Sequence, residues 1–293
     1  MKPAPFEYCA PRTIDEALSY LAQYGYDAKV LAGGQSLIPL MNFRLAQPSV
    51  IIDLNNINQL FFIEPEGDDR LRIGAMARHY QVEESAIVEK RAPLIHETMP
   101  LIATVQVRTR GTFGGSLSHA DPSAELTAVT IALDGTFLLR SQKQERWVPA
   151  NEFFVGLFTS VLQADELFIE AKFPALPKNT GCAIVEVARR PHDFALVGVA
   201  ATITLDDNNI CRKARLVLFS VEDKPIEAIQ AENLLINHEP SPALLRAAAE
   251  TAAKADIDPG GDIHATAAFR RHLASVLTFR ALETAAKRAR NGG

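Results

Sequence analysis

Cysteine is scarce in this chain. Cys9, Cys182 and Cys211 are the three cysteines in 293 residues, and they lie far apart. They form no Cys-x-x-Cys pair and lack the spacing of a disulfide-rich secreted domain. We therefore interpret them as small buried hydrophobic residues and expect a cytoplasmic protein.

Long apolar runs are also missing. The N-terminal residues contain no apolar segment of signal-peptide length, and no stretch approaches the roughly 20 apolar residues that a membrane span needs. We therefore expect a protein that does not insert into a membrane.

The sequence has no excess of positive charge. Its formal net charge is −5, and its lysine and arginine residues are scattered rather than clustered. A nucleic-acid-binding surface requires the opposite pattern, so nucleic acid is not expected as a partner. A hydrophobic content of 47% in a chain of this length is sufficient for one large domain or for two that share an interface.

Local patterns predict alternating helices and strands. A capping box of Thr13 and Glu16 begins a helix that Gly25 ends. Strand patterns follow at 28–32 and 50–54, and a turn at 65–69 predicts a hairpin. Further helices are predicted at 81–90, 93–103, 122–133 and 265–289, and further strands at 136–140, 167–173, 183–188, 195–205 and 214–221.

A segment at 174–181 (PALPKNTG) has the proline, lysine and glycine content of a linker. We place a domain boundary there. The strands beyond it, with a turn at 206–209, predict a small antiparallel sheet accompanied by alanine-rich helices.

Two glycine pairs carry the strongest functional signal. The first, 32–36 (AGGQS), follows a predicted strand, and the second is 112–116 (TFGGS). Glycine lets the backbone approach a phosphate closely and lets successive N–H groups converge on it, which suits an acidic protein without a basic cluster. A single Gly-Gly pair after a strand is usually a tight turn, but two in one predicted domain are stronger evidence. Neither is a Rossmann fingerprint, so a dinucleotide must be bound in another manner.

Several motifs together resemble a known family. They are 31–37 (LAGGQSL), 50–54 (VIIDL), 107–117 (VRTRGTFGGSL) and 118–125 (SHADPSAE), followed by 188–197 (ARRPHDFALV) and 262–264 (DIH). In this order and at these intervals they resemble the FAD-binding medium subunits of the molybdenum hydroxylase and xanthine dehydrogenase family. Its members include the medium chains of carbon monoxide dehydrogenase and quinoline 2-oxidoreductase.

The resemblance implies an α+β fold with two domains. Residues 1–176 are expected to form a two-lobed FAD-binding domain of the p-cresol methylhydroxylase and vanillyl-alcohol oxidase type, with lobes at about 1–57 and 58–176. Residues 177–293 are expected to form a smaller α+β domain with an antiparallel sheet.

The resemblance also implies a set of flavin contacts. The first loop is expected to wrap the pyrophosphate with its N–H groups, the second to complete the site, and an acidic residue to accept hydrogen bonds from the adenosine ribose. By position these are Leu31, Ala32, Gly33, Gly34, Gln35, Ser36 and Leu37, then Gly111, Thr112, Gly114 and Gly115, and then Glu125, with Ile102, Ser118 and Asp121 as further contacts.

The implied role is that of an electron relay. FAD in this chain is expected to receive electrons from [2Fe-2S] clusters in a small subunit and to deliver them to an external acceptor, while a large molybdopterin subunit hydroxylates the substrate. A dimer of such heterotrimers is expected. Ile102 and Leu196 stand where xanthine dehydrogenase has an aromatic residue and a lysine, and these differences argue against carrying over its NAD chemistry without further evidence. We expect no catalytic residue and no metal site in this chain.

Two other functions are compatible with these residues. One is a self-contained FAD-dependent oxidoreductase of the same fold, although 178–293 has no evident acid-base constellation. The other is a module that has lost its flavin. The substrate stays open between an N-heterocycle, a purine, an aldehyde and carbon monoxide. The electron acceptor stays open between NAD, a quinone, a cytochrome and oxygen.

Four groups of residues have a structural and a functional interpretation. His119 either contacts the flavin or, more commonly for a loop histidine, satisfies a backbone carbonyl. His192 beside Asp193 is best interpreted as a solvated turn. Arg108, Arg110, Arg189 and Arg190 are candidates for partner contacts or ordinary salt bridges. Trp147 and the run 153–158 (FFVGLF) form either core or an interface.

Overall fold

A computed structural model describes residues 2–67 and 70–292 of the chain. The strands are β1 (Glu7–Cys9), β2 (Ala28–Leu31), β3 (Val50–Asp53), β4 (Ile63–Glu66), β5 (Arg70–Gly74), β6 (Thr136–Arg140), β7 (Glu145–Pro149), β8 (Phe154–Gly156), β9 (Thr159–Ser160), β10 (Leu167–Phe173), β11 (Thr180–Ala188), β12 (Ala195–Leu205), β13 (Cys211–Phe219) and β14 (Ile226–Glu227). The helices are α1 (Ile14–Tyr24), α2 (Leu37–Asn42), α3 (His79–Glu83), α4 (Ala86–Arg91), α5 (Pro93–Thr98), α6 (Val105–Arg108), α7 (Phe113–His119), α8 (Glu125–Ala132), α9 (Ala150–Phe153), α10 (Ile229–Leu235), α11 (Pro242–Thr251) and α12 (Ala267–Arg290).

The first sheet is parallel and has the order β1-β3-β2. Leu31 lies in register with Asp53, so the carboxyl ends of β2 and β3 are side by side. Helix α1 precedes β2 in the chain. Thr13 caps it by accepting a hydrogen bond from the backbone N–H of Glu16, but the Glu16 carboxylate accepts from Arg12 N rather than from Thr13 N. The predicted capping box is therefore half right.

The second sheet is antiparallel and has the order β4-β5-β10-β6-β7. The predicted hairpin is confirmed, because β4 pairs with β5 from Ile63 opposite Ile73 to Glu66 opposite Arg70. Asp68 and Asp69 of its predicted turn lie outside the described residues.

Two predicted helices are wrong in their extent. The helix expected at 81–90 is broken, because the Ser85 hydroxyl accepts from Val88 N and begins α4 as a separate helix. The helix expected at 93–103 ends at Thr98 and continues as a 3-10 turn, Met99–Leu101. Pro100 has no N–H and so cannot extend the α-helical hydrogen bonds.

The third sheet is antiparallel, with the order β11-β12-β13-β14, as expected for the second part of the chain. Its two faces pack against different cores: the first core lies around the first two sheets, and the second lies between the third sheet and helices α11 and α12. On β11, Cys182 and Ile184 pack with the apolar residues of the first two sheets, whereas Ala183 and Val185 pack with α11 and α12. Successive strand residues point to opposite faces, so the third sheet is apolar on both.

The predicted linker is shorter than expected, because Thr180 and Gly181 already belong to β11. A Cβ on Gly181 would lie 2.9 Å from Arg288 Cβ, so α12 packs directly on this strand. Cys182 and Cys211 are buried, as expected, whereas Cys9 is only half-buried. Among residues 2–67 and 70–292, no helix combines the length and the apolar character required to cross a membrane.

Candidate functional site

The first glycine segment connects β2 to α2 at the carboxyl end of the parallel sheet. Gly34 has φ +74°, a conformation that other residues adopt only with strain. In the described chain, none of the backbone N–H groups of residues 33–37 donates a hydrogen bond to another residue. Ser36 precedes α2 without a side-chain capping bond. The segment therefore offers consecutive free donors at the end of a strand, as a phosphate-binding loop requires.

The second glycine segment is helical, which corrects the expectation of a loop. Thr112 is the N-cap of α7, because its hydroxyl accepts from Gly115 N at 3.2 Å. Phe113 N donates to Ala77 O and Gly114 N to Ala75 O, both at 2.9 Å. Most N–H groups of this segment are therefore already used within the chain, and free N–H donors come mainly from the first segment.

The structure brings the two predicted segments into contact. A Cβ on Gly33 would collide with the Arg110 carbonyl oxygen and would lie 2.8 Å from Gly111 Cα. A Cβ on Gly115 would lie 3.5 Å from Ala32 Cβ. Glycine is needed here because backbone packs on backbone. We define the glycine cradle as residues 32–36 together with 110–115.

A polar network that sequence reasoning missed joins the two sides of the glycine cradle. Asn55 Nδ2 donates to Ala32 O at 3.0 Å, on the first side. The Arg78 guanidinium donates to Asn55 Oδ1 at 2.5 Å and to the Arg110 carbonyl, on the second side. Asp53 accepts from Asn55 N at 2.9 Å and from the Tyr8 hydroxyl at 2.6 Å.

The position of part of this network could have been predicted from the sequence. Asp53 ends β3 and Asn55 follows it, next to the strand that precedes the first glycine segment. The carboxyl ends of adjacent parallel strands lie at one edge of a sheet. The position of Arg78 could not be predicted in this way, because this residue reaches the cradle from the turn between β5 and α3 and only the packing of the two sheets places it there.

His79 supports the second side of the cradle from behind. Its backbone N donates to Gly111 O at 3.0 Å, and its Nε2 lies 3.0 Å from Thr112 O. Its Nδ1 is buried, and no residue among those described forms a hydrogen bond with it. Burial lowers the pKa of His79 to about 4, and the Thr112 carbonyl opposes that effect. His79 is therefore neutral near pH 7, with the proton on Nε2 and donated to Thr112 O.

Acid is expected to weaken the glycine cradle through His79. Its folded pKa of about 4 lies below its ordinary value of 6.5. Between these values the unfolded chain binds more protons than the folded chain, so this group makes the unfolding free energy fall as the pH falls through that window. Thermal unfolding of the wild type and of His79→Gln should be measured across this pH window. The variant should lose less unfolding free energy than the wild type as the pH falls. His238→Gln, an exposed position, is the control, and an unchanged acid loss in His79→Gln would contradict this role.

Glu125 begins α8 and is buried, with 8% of its surface exposed. In the described part of the chain, only its own backbone N–H acts on it as a donor. Burial, together with the charges of Glu186 and Asp121, raises the pKa of Glu125 to about 8. A buried carboxyl that lacks donors fits a ligand that brings paired hydroxyl groups, such as a ribose.

The remaining predicted contacts lie around these elements. Leu31 ends β2, Leu37 begins α2, and Ser118 lies near the end of α7. Asp121 accepts from Ser123 N at 2.9 Å in the turn before α8. Ile102 packs in the first core, and its carbonyl accepts from Arg108 at 3.1 Å. Arg108 is buried and pairs with Glu83, so it is structural rather than available to a partner.

The structure also places the other residues that have two interpretations, and among them Arg110 is exposed. The His119 ring lies tilted against the Phe158 ring, with 5.0 Å between centroids, and within residues 2–67 and 70–292 it makes no hydrogen bond to a backbone carbonyl. Arg189 and Arg190 both pair with Asp193 at the surface, and His192 lies in an exposed turn. The run 153–158 divides: Phe153 and Phe154 are core, whereas Val155, Leu157, Phe158 and also Trp147 are exposed.

Comparison with protein families gives matches to both parts of the chain. The FAD binding domain in molybdopterin dehydrogenase matches residues 4–176. The CO dehydrogenase flavoprotein C-terminal domain matches residues 183–285. The two matches leave only a short segment between them.

Curated relatives are similar over nearly their whole length. The chain is 38% identical to the 6-hydroxypseudooxynicotine dehydrogenase complex subunit alpha of Paenarthrobacter nicotinovorans, covering 99% of this chain and 97% of that protein. It is 40% identical to the caffeine dehydrogenase subunit beta of a Pseudomonas species, covering 98% and 97% respectively.

Solved structures are similar to the same extent. A chain of carbon monoxide dehydrogenase from Hydrogenophaga pseudoflava has a TM-score of 0.95 and 36% identity, covering 98% of this chain and 99% of that one. A chain of quinoline 2-oxidoreductase from Pseudomonas putida has a TM-score of 0.93 and 35% identity, covering 99% of each.

Proposed function

The chain belongs to the flavoprotein subunits of the molybdenum hydroxylases, and we propose that its glycine cradle holds the pyrophosphate of FAD. It is an oxidoreductase subunit that binds FAD and transfers electrons. Its fold is the expected α+β fold with an antiparallel sheet in the second part.

One observation carries the proposed site: two glycine segments meet backbone to backbone, and the N–H groups of residues 33–37 find no acceptor in the described part of the chain. The free N–H groups donate to the pyrophosphate, and the bare backbone at Gly111, Gly114 and Gly115 forms the opposite wall. Thr112 adds its N–H and its hydroxyl. Leu31 and Leu37 border the loop at its two ends.

Glu125 supplies the second recognition element. Ionised, it accepts hydrogen bonds from the two ribose hydroxyls, which donate to a carboxylate more strongly than to a neutral acceptor. Ser118 and Asp121 lie between this residue and the second glycine segment, and Ile102 adds an apolar contact. FAD, when bound, supplies the electron-transfer chemistry, and the chain's own residues hold and orient it.

The packing of the sheets supports a proposed domain boundary. We place a FAD-binding domain at 1–176, with lobes at about 1–57 and 58–176, and a smaller α+β domain at 177–293. The parallel sheet belongs to the first lobe, the five-stranded sheet to the second, and β11–β14 to the second domain. Apolar packing of β11 and β12 on the first core makes the interface between the domains.

The relatives are subunits of multi-subunit enzymes, as the names "medium chain" and "subunit alpha" state. We place this chain beside a large molybdopterin-binding subunit and a small subunit with [2Fe-2S] clusters, in a dimer of heterotrimers in the cytoplasm. Electrons then reach FAD from the clusters and leave to an external acceptor. The substrate is bound in the large subunit.

Co-purification tests the proposed complex. The tagged full chain, isolated from its native host, is expected to bring two further chains and to contain FAD, molybdenum and iron in the preparation. Mass spectrometry of the chains, metal analysis and the flavin spectrum are the measurements. A flavin-containing chain that is isolated alone and oxidises a simple donor would support a self-contained oxidoreductase instead.

A further inference from the structure

Arg78 is an arginine without an acidic partner at the proposed pyrophosphate site. Within residues 2–67 and 70–292, no carboxylate oxygen lies within 4.0 Å of its guanidinium, although twenty such ion pairs are formed elsewhere. Its pKa is lowered, first by burial and then by the nearby charge of Arg110, and the charges of Tyr80 and Asp53 offset this only in part. A partly buried cation without a directly paired counter-ion is costly, so a bound anionic group is expected to be favourable nearby.

The hydrogen bonds of Arg78 join the two sides of the glycine cradle. One branch of the guanidinium donates to the Arg110 carbonyl, on the second side. The other donates to Asn55 Oδ1, and Asn55 Nδ2 donates in turn to Ala32 O, on the first side. The planar guanidinium presents its donors at fixed angles, so it sets the separation of the carbonyls that it joins.

Neighbouring groups hold the guanidinium in this position. Arg78 Cζ lies 5.6 Å from the centre of the Phe61 ring, a cation-π contact. The Gln81 side chain accepts from Arg78 N at 2.9 Å. Asp53, which holds Asn55 from the other side, is in turn held by Tyr8. The arginine is thus fixed before any ligand binds.

We propose that Arg78 is a positioning residue for FAD, which spaces the two glycine segments through Asn55 and supplies a fixed positive charge to the pyrophosphate. This inference rests on the proposed FAD site. The charge acts from behind the backbone, while the free N–H groups of residues 33–37 make the direct hydrogen bonds. An acidic protein thereby binds a doubly charged group without a basic surface cluster.

Substitution of Arg78 separates its two roles. Arg78→Gln removes both the positive charge and the planar set of N–H donors of the guanidinium. Arg78→Lys keeps the charge but loses that planar set of donors. We expect FAD to bind about 10- to 100-fold more weakly to Arg78→Gln, because hydrogen bonds from charged groups typically contribute that much to affinity. Arg78→Lys should lose less affinity and should keep the salt dependence of FAD binding that Arg78→Gln loses.

The measurement is the dissociation constant of FAD for the full chain, from flavin fluorescence at low and high salt. Arg91→Gln is the matched control, because Arg91 also donates to two backbone carbonyls, those of Gly67 and Arg70, away from the glycine cradle. It should leave FAD affinity unchanged.

A double-mutant cycle with Asn55→Ala tests the connection between the two residues. If Arg78 acts through Asn55, the double variant should lose less affinity than the sum of the two single losses. Additive losses would overturn the spacing role. An FAD affinity of Arg78→Gln within about twofold of the wild type would overturn the whole inference, and a wild-type chain without FAD would overturn the proposed site itself. Arg78→Lys gives the result if Arg78→Gln fails to fold.

Discussion

Gly33→Val is expected to yield a folded chain that is purified almost without FAD. The added side chain would collide with the Arg110 carbonyl and approach Gly111 Cα, which lies 2.8 Å from the Cβ position. Backbone cannot move aside as a side chain can, so the two glycine segments must separate. Overpacking of this kind costs about 1–3 kcal/mol of unfolding free energy. Each loss of about 1.4 kcal/mol in binding free energy lowers FAD affinity about tenfold.

The flavin content per chain, from absorbance after purification, is the measurement, with thermal unfolding of the flavin-free protein to confirm that it is folded. Gly156→Val is the matched control, because nothing lies within 4 Å of a Cβ at that position. Gly114→Val should behave like Gly33→Val, since its Cβ position lies 2.8 Å from Ala75 Cα and Cβ. Full flavin content in both variants would mean that the cradle does not hold FAD.

The flavin-free chain is expected to lose stability as the pH rises through neutrality, because of Glu125. Burial raises its pKa from 4.5 to about 8, and Glu186 is raised by burial to about 7. Between pH 4.5 and these values the folded chain holds protons that the unfolded chain has released. Its unfolding free energy therefore falls as the pH rises through that window.

Glu125→Gln keeps the shape of the side chain but does not titrate, so its stability should depend less on pH and exceed that of the wild type at alkaline pH. Thermal unfolding across the window measures this, with Glu152→Gln at an exposed position as the control. Identical pH profiles for Glu125→Gln and the wild type would show that Glu125 is not protonated in the flavin-free fold.

FAD binding should then be linked to the same proton. In the proposed site the ribose hydroxyls donate to the ionised carboxylate, so FAD binding is expected to release a proton and its affinity to rise with pH up to about 8. Glu125→Ala should weaken FAD binding about 10- to 100-fold. Calorimetry in buffers of different ionisation enthalpy measures the proton release. An equal proton release by the wild type and Glu125→Gln would assign the proton to another group.

Local sequence patterns were sufficient for much of the fold. The parallel strands β2 and β3, the β4–β5 hairpin and the antiparallel sheet β11–β13 all lie where strand-forming residues and turn residues predicted them. These patterns act over short distances, so they can be recognised without tertiary contacts. Helix boundaries were less certain, since the Ser85 cap and Pro100 divide stretches that have continuous apolar periodicity.

The sequence by itself determined the family, the FAD cofactor and the two glycine segments, because these depend on ordered motifs and on the one residue type that permits close backbone approach. Only the tertiary structure decided how the segments act. It placed Gly33 against Arg110 and Gly111, showed that the second segment is the start of a helix, and left the free N–H groups to the first. It also brought Arg78 and Asn55 between them. Contacts between residues distant in sequence follow from how the sheets pack, which no local pattern encodes.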